Sequence, residues 1–141
     1  MEISQVSVFL ENKKGRLREV AELLAGKGIN IRSLSLADTE SFGVLRMIVS
    51  EPDRCIDVLK EKDIAARKTP VIAVEVNDRP GGLLEILRIF DSEDINVEYM
   101  YATFEKSKDK AVMIFRVEET GKAAGVLKKS GFSIADSSVF Q

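Results

Sequence analysis

Residues 3 to 64 nearly repeat themselves as residues 70 to 132. Leu10-Glu11-Asn12-Lys13-Lys14-Gly15-Arg16-Leu17 is echoed by Val76-Asn77-Asp78-Arg79-Pro80-Gly81-Gly82-Leu83, 66 positions later. Gly28-Ile29-Asn30-Ile31 returns as Asp94-Ile95-Asn96-Val97 at the same offset, and Val58-Leu59-Lys60 returns as Val126-Leu127-Lys128 at an offset of 68. The two-residue slip falls between Asn96 and Val112, which predicts a longer hairpin in the second copy. Such duplication overrides the single-domain expectation for a chain of 141 residues and predicts two copies of one small module. A module of about 65 residues buries only about 60% of the surface that its unfolded chain exposes. Each copy is therefore expected to pack against a neighbour or to dimerise.

What the chain lacks narrows its chemistry. It has no histidine, the commonest acid–base group and metal ligand. Its one cysteine, Cys55, excludes an internal disulfide, a Cys-x-x-Cys zinc site and a Cys–His dyad. Neither of the glycine-rich nucleotide-binding motifs occurs. Catalysis, metal and cofactors are accordingly not expected. A net charge of −2 gives no electrostatic reason to bind nucleic acid. No apolar run approaches the roughly 20 residues of a membrane helix, and Met1-Glu2-Ile3-Ser4-Gln5 is too polar for a secretory signal. A cytoplasmic protein is expected.

Val6, Val8 and Leu10 alternate with Ser7, Phe9 and Glu11, the period of a strand. Gly15 breaks it. Leu17, Val20, Ala21 and Leu24 follow helical spacing, with Lys27-Gly28 as the stop. Strands are predicted over 29–37 and 43–49, joined by a turn at Asp38-Thr39-Glu40-Ser41. Pro52 opens a helix striped by Ile56 and Leu59, with Cys55 beside it, buried and inert. A short fourth strand fits 64–68. The second copy repeats the order: a strand through Ile72, Val74 and Val76, a helix through Leu83, Ile86, Leu87 and Phe90, strands over 95–104 and 111–117, a helix through Ala123, Val126 and Leu127, and a last strand over 132–140. Residues 105–110 read as a solvated hairpin tip, and Thr69-Pro70 as a very short linker. Each module is β-α-β-β-α-β. Right-handed crossovers then favour an antiparallel four-stranded sheet with two helices on one face. The fold class is α+β, two ferredoxin-like modules in tandem with antiparallel sheets, over 1–68 and 70–141.

Function must come from a site rather than from this widely shared fold. In both copies a glycine-bearing turn joins the first strand to the first helix. Its end is a helix amino terminus, whose unpaired N–H groups and positive dipole favour an anion such as a carboxylate. Asp78 can accept from an ammonium group. Asn96 opens the next strand, with an amide that both donates and accepts, and is expected beside that turn. These groups suit the two polar ends of a free amino acid. The simpler reading makes Asn12 and Asp78 helix caps or turn residues and Asn30 and Asn96 helix-end residues. Tyr99 and Tyr101 share one strand face, where their counterparts are Ser33 and Ser35. RNA binding on the sheet would need central aromatics, but Val44–Val49 and Val112–Val117 are mainly aliphatic.

Asp78-x-Pro80-Gly81-x-Leu83 followed by Ile95-Asn96-Val97, with Asn12-x-x-Gly15-x-Leu17 followed by Ile29-Asn30-Ile31 in the first copy, resembles the ACT-domain pattern across essentially the whole chain. The resemblance implies a regulatory protein that binds a small effector, usually an amino acid, between paired domains. Carried onto this chain, the contacts are Asn12, Gly15 and Asn30, then Asp78, Gly81 and Asn96, with the adjoining Arg16, Leu17, Ile31, Gly82, Leu83 and Val97. Lys14 stands where proline is usual, and Asp78 where amino-acid binders often carry asparagine. The resemblance also implies a homodimer and a possible amino-acid biosynthetic enzyme as partner. The alternative is an architectural or regulatory subunit of an amino-acid metabolic enzyme, similar to the acetolactate synthase regulatory subunit, with no effector site of its own.

Overall fold

A computed structural model of the chain describes residues 2–38 and 41–140, the side chain of Glu105 excepted. Ser4–Thr69 and Pro70–Val139 form two compact units. The first holds β1 (Ile3–Glu11), α1 (Arg16–Gly26), β2 (Ile31–Asp38), β3 (Phe42–Val49), α2 (Pro52–Glu61) and the opening of β4 (Ala66–Asn77). Its strands lie in the order β2-β3-β1-β4. β1 and β2 both run antiparallel to β3, with Val8 and Leu36 opposite Leu45. Val6, Val8 and Leu10 from β1 and Leu45, Met47 and Val49 from β3 point to one face. There they meet Val20 and Leu24 of α1 and Cys55 and Leu59 of α2, so both helices cover the same side of the sheet. Cys55 is fully buried, and desolvation pushes its thiol up to about 11, which removes the reactive thiolate.

The second unit repeats the plan with the rest of β4, α3 (Gly82–Ser92), β5 (Val97–Ser107), β6 (Lys110–Val117), α4 (Thr120–Lys129) and β7 (Ile134–Ala135). β7, β4, β6 and β5 are neighbours in that order, all antiparallel. Ile72, Val74 and Val76 of β4 and Phe115 and Val117 of β6 close on Ile86 and Phe90 of α3 and Ala123 and Leu127 of α4. The expected β-α-β-β-α-β order and antiparallel ferredoxin-like sheets are therefore present in both units.

Three local expectations change. Thr69 and Pro70 lie inside β4 and not in a linker; Pro70 loses only its donor, and its carbonyl accepts from Arg116 Nη1 at 2.8 Å. The last strand is two residues long and gives way to a 3₁₀ turn, Ser137–Phe140. The cause is Asp136, whose Oδ1 accepts from the Ser138 backbone N–H at 2.9 Å and from its hydroxyl, a local side-chain turn that competes with the ladder. Those two bonds also hold the Asp136 carboxyl below its ordinary range. Finally, residues 105–110 are not a wholly solvated tip. β5 runs to Ser107, only Lys108 and Asp109 turn, Lys106 pairs with Glu75, and Lys110 donates to the Asn77 side chain. The turn expected at 38–41 lies, at Thr39 and Glu40, outside the described residues.

The four α-helices among the described residues end in the same way. Ile29, Ile64, Ile95 and Phe132 donate their N–H groups back to Leu24, Leu59, Phe90 and Leu127 at 2.8 to 3.0 Å. Each of these pairs joins two apolar residues across a left-handed position. Glycine fills that position after α1 and α4, but Asp63 and Asp94 hold it after α2 and α3, at φ 56° and 55°. Asp63→Gly is expected to raise stability by about 0.5–1 kcal/mol, as relief of the left-handed strain outweighs the added freedom of the unfolded chain. Urea unfolding of the two forms, compared at equal slope, measures it.

Candidate functional site

The two turns are built alike. Gly15 and Gly81 sit at the N-caps of α1 and α3 with φ 91° and 84°, a conformation that glycine adopts freely. The Asn12 N–H donates to Ser41 O at 3.0 Å and the Asp78 N–H to Asp109 O at 2.8 Å, which ties each turn to the neighbouring hairpin. Lys13 donates to Glu11 O at 2.8 Å, and Arg79 to Asn77 O at 3.0 Å. A glycine N-cap has no side chain with which to satisfy the first-turn N–H groups, so each helix start keeps donors for an outside acceptor.

Their surroundings differ. At the first turn Glu11 takes an ion pair from Lys13 at 2.9 Å, and Arg16 pairs with Glu19 at 3.0 Å, all exposed. The hydrogen bond and charge of Lys13, then the charge of Arg16, hold the Glu11 carboxyl below its ordinary range. Leu17 is exposed beside them. At the second turn Arg79 pairs with Glu85 at 2.6 Å, and Leu83 packs against the core. Gly82 is buried, and a Cβ there would stand 1.9 Å from the Asn77 carbonyl oxygen. Gly82 is thus required by the chain's own backbone.

The asparagines lie at the opposite end of each sheet. Glu11 pairs with Phe42 and Ile31 with Val49, so β3 separates the Asn12–Leu17 turn from Asn30 by its full length. β6 does the same between Asn77, opposite Lys110, and Val97, opposite Val117. Each separation is about 23 Å of strand. The expected adjacency of Asn96 to the Asp78 turn fails for a simple reason: the helix carries the chain back along the sheet. Asn12, Gly15, Arg16 and Leu17 come together, as do Asp78, Gly81, Gly82 and Leu83, but within a module neither group meets its asparagine. Ile31 and Val97 pack against the cores.

Asn30 exchanges backbone bonds with Ser50, donating to its hydroxyl at 3.1 Å and accepting from its N–H at 3.0 Å. Asn96 borders a cleft of about 560 Å³ lined also by Asp94, Ile95, Glu98, Arg116, Glu118 and Glu119. Arg116 stands 3.4 Å from Glu98. This cleft offers a guanidinium to a carboxylate and carboxylates to an ammonium. Arg116 and its acidic neighbours escape a motif-based reading; the one sequence cue is a lone charge inside the aliphatic run Val112–Val117. Among the described residues, no cluster of three His, Cys, Asp or Glu could hold a metal ion, and no helix is long and apolar enough to cross a membrane.

The geometry has known relatives. Protein BT0572 from Bacteroides thetaiotaomicron, solved by crystallography, is similar at a TM-score of 0.91 and 36% identity, covering 99% of this chain and 96% of that one. The ligand-free regulatory subunit of aspartate kinase from Thermus thermophilus shares the fold at a TM-score of 0.66 and 16% identity, over 91% of this chain and 92% of that one. The acetolactate synthase small subunit of Aquifex aeolicus (strain VF5) is 35% identical over 72 residues, 42% of this chain and 38% of that subunit, so the match spans well under half of the relative. A family model described as an ACT domain pair matches residues 1–141. The chain belongs to the ACT domain pair family.

Proposed function

We propose that this chain is a non-catalytic regulatory protein of the cytoplasm whose effector is a free amino acid, bound where a turn of one module meets the asparagine end of a module in a second chain. The observation that supports it most is the duplicated turn: two left-handed glycine N-caps, each leaving first-turn donors without a capping side chain. They suit the effector's carboxylate, while Asn30 or Asn96 suits its ammonium group. The separation of turn and asparagine within a module is the reason that two chains are invoked. Regulation is differential binding, in which the effector prefers one arrangement of the chains and shifts the population towards it.

A ligand this small binds with a dissociation constant of about 10 μM to 1 mM. At 100 times that concentration it stabilises by about 2.7 kcal/mol, so a thermal-shift screen of the twenty amino acids should single out one class. Asn30→Ala and Asn96→Ala should each weaken binding about tenfold, through the lost hydrogen bond, with the unfolding midpoint of the free protein unchanged. No shift with any amino acid would sink the effector reading, and unchanged affinity in both variants would sink the assigned asparagines. The likeness to an acetolactate synthase small subunit favours a second reading, a subunit that holds and regulates an amino-acid biosynthetic enzyme. Co-purification of a catalytic chain by the native protein, in the absence of any amino-acid shift, would favour it.

A further inference from the structure

We infer that the effector received at the Asn96 end carries a positively charged side chain, so that the second module selects a basic amino acid and the first does not. That class rests on the effector being a free amino acid and adds the charge of its side chain. The two modules allow a comparison within one chain. The cleft beside Asn96 is lined by Asp94, Glu98, Arg116, Glu118 and Glu119, four carboxylates against one guanidinium. By repeat and by strand register, the matching places in the first module are Gly28, Arg32, Ile48, Ser50 and Glu51, one acid against one base. The local frame is the same in both. One extra residue bulges from each strand start, Arg32 between Ile31 and Ser33 in β2 and Glu98 between Val97 and Tyr99 in β5. A bulge re-aims the side chain that it carries. The frame is therefore shared, and the excess of acid belongs to the second module alone.

The one guanidinium is already engaged. Arg116 donates through Nη1 to the Pro70 carbonyl at 2.8 Å, its Nε stands 3.4 Å from Glu98, and its side chain is only 20% exposed. It holds Glu98, and Glu98 compensates its charge. Three carboxylates are left over: among the described residues, Asp94, Glu118 and Glu119 make no ion pair. In the first module Glu51 pairs with Arg54 at 2.9 Å, whereas the matching Lys122 donates to the Glu93 carbonyl at 2.9 Å instead. Asp94 also takes a left-handed φ of 55° where Gly28 takes 71°, a conformation unfavourable to a residue with a side chain. α3 ends beside it with no basic residue in its last turn, so its dipole adds negative potential. Such a cleft, of small-molecule size at about 560 Å³, attracts a cation. Among the described residues no three acidic groups are placed to share a metal ion, and the spread of carboxylates suits an elongated ligand. With its α-ammonium group on the Asn96 amide oxygen, lysine or arginine extends a second cation to Asp94, Glu118 and Glu119. An acidic side chain would meet only an arginine that is already paired, and a neutral one would leave the carboxylates unpaired.

Isothermal titration calorimetry of the full chain tests this charge preference. Arginine and lysine are titrated against citrulline and norleucine, neutral molecules of like size. At least one basic member should bind about tenfold more tightly than its neutral counterpart. The double substitution Glu118→Gln with Glu119→Gln should abolish that preference and leave the neutral affinities unchanged. Both positions are exposed, and unchanged circular dichroism would show that the variant folds. Asp94→Gly should weaken the basic ligand about threefold and yet raise the urea midpoint of the second unit, because it removes a carboxylate and relieves the left-handed φ. A purely structural Asp94 would move the midpoint alone. A neutral or acidic amino acid that outbinds both basic ones, or a basic preference that survives the double substitution, would overturn the inference and leave the effector reading standing. Silence towards all twenty amino acids would overturn the effector reading and the basic class with it. Agmatine, which is arginine without its carboxylate, should bind much more weakly than arginine; equal binding would keep the charge preference and overturn the effector reading alone.

Discussion

Gly82→Ala should destabilise the second unit by about 3 kcal/mol or more, out of proportion to the single carbon added. The new Cβ would lie 1.9 Å from Asn77 O and 3.0 Å from its carbonyl carbon. Both atoms belong to the backbone at the end of β4, where Asn77 O also accepts the Arg79 N–H. No rotamer change relieves such a contact. Either α3 shifts off Ile72, Val74 and Val76, or the turn gives up its hydrogen bonds. Gly81→Ala is the control: its Cβ would meet nothing within 4 Å, and its cost, from φ 84° alone, is about 1–2 kcal/mol. Both tyrosines, Tyr99 and Tyr101, lie in the second unit and the chain has no tryptophan, so tyrosine fluorescence during urea unfolding follows this unit selectively. Equal costs for the two alanine variants would show that the turn relaxes around Gly82 and that the close approach does not matter.

That prediction marks a boundary of what the sequence can show. The need for Gly15 and Gly81 is legible, because a glycine between a strand pattern and a helix pattern is the residue that takes a left-handed φ. The need for Gly82 is not, because Arg16 occupies the matching place in the first copy, in a turn with the same hydrogen bonds. The turns differ only in detail: Arg16 N donates to Lys13 O at 3.3 Å and Gly82 N to Arg79 O at 3.0 Å, but in the second the Asn77 carbonyl oxygen stands 1.9 Å from where a Cβ would be. Periodicity has no access to distances of that size.

The element order was readable because duplication offers every strand and helix twice, and alternation fixes which face is buried. Boundaries failed where a single side chain decided them. Asp136 ends the last strand by accepting from Ser138, and Lys106 and Lys110 extend a hairpin by reaching Glu75 and Asn77. The sequence offered candidate site residues but not their placement. Asn30 and Asn96 follow their turns by one helix, which reads as proximity along the chain. A helix antiparallel to its strand turns that step into the length of a sheet, so the pieces meet only if another module supplies the missing half.

Phe90→Ala should cost the second unit about 3–5 kcal/mol. Phe90 is 1% exposed and sits three residues before the C-cap of α3. Its ring meets Phe115 of β6 edge to face, with centroids 5.6 Å apart and planes at 90°. Its carbonyl accepts the Ile95 N–H at 2.8 Å, the bond that closes the helix end and aims the chain into β5. Alanine keeps that backbone bond but removes the apolar contact between Phe90 and Ile95 that accompanies it, and leaves a cavity beneath the sheet. Phe90→Leu separates the contributions, because it refills most of the volume while losing the aromatic geometry. A double-mutant cycle of Phe90→Leu with Phe115→Leu should return a coupling of about 0.5–1.5 kcal/mol for the ring pair. Tyrosine fluorescence is again the readout. A Phe90→Ala loss below about 1 kcal/mol would mean that the second unit repacks around the vacancy, and that α3 is not held to β6 by the Phe90–Phe115 pair.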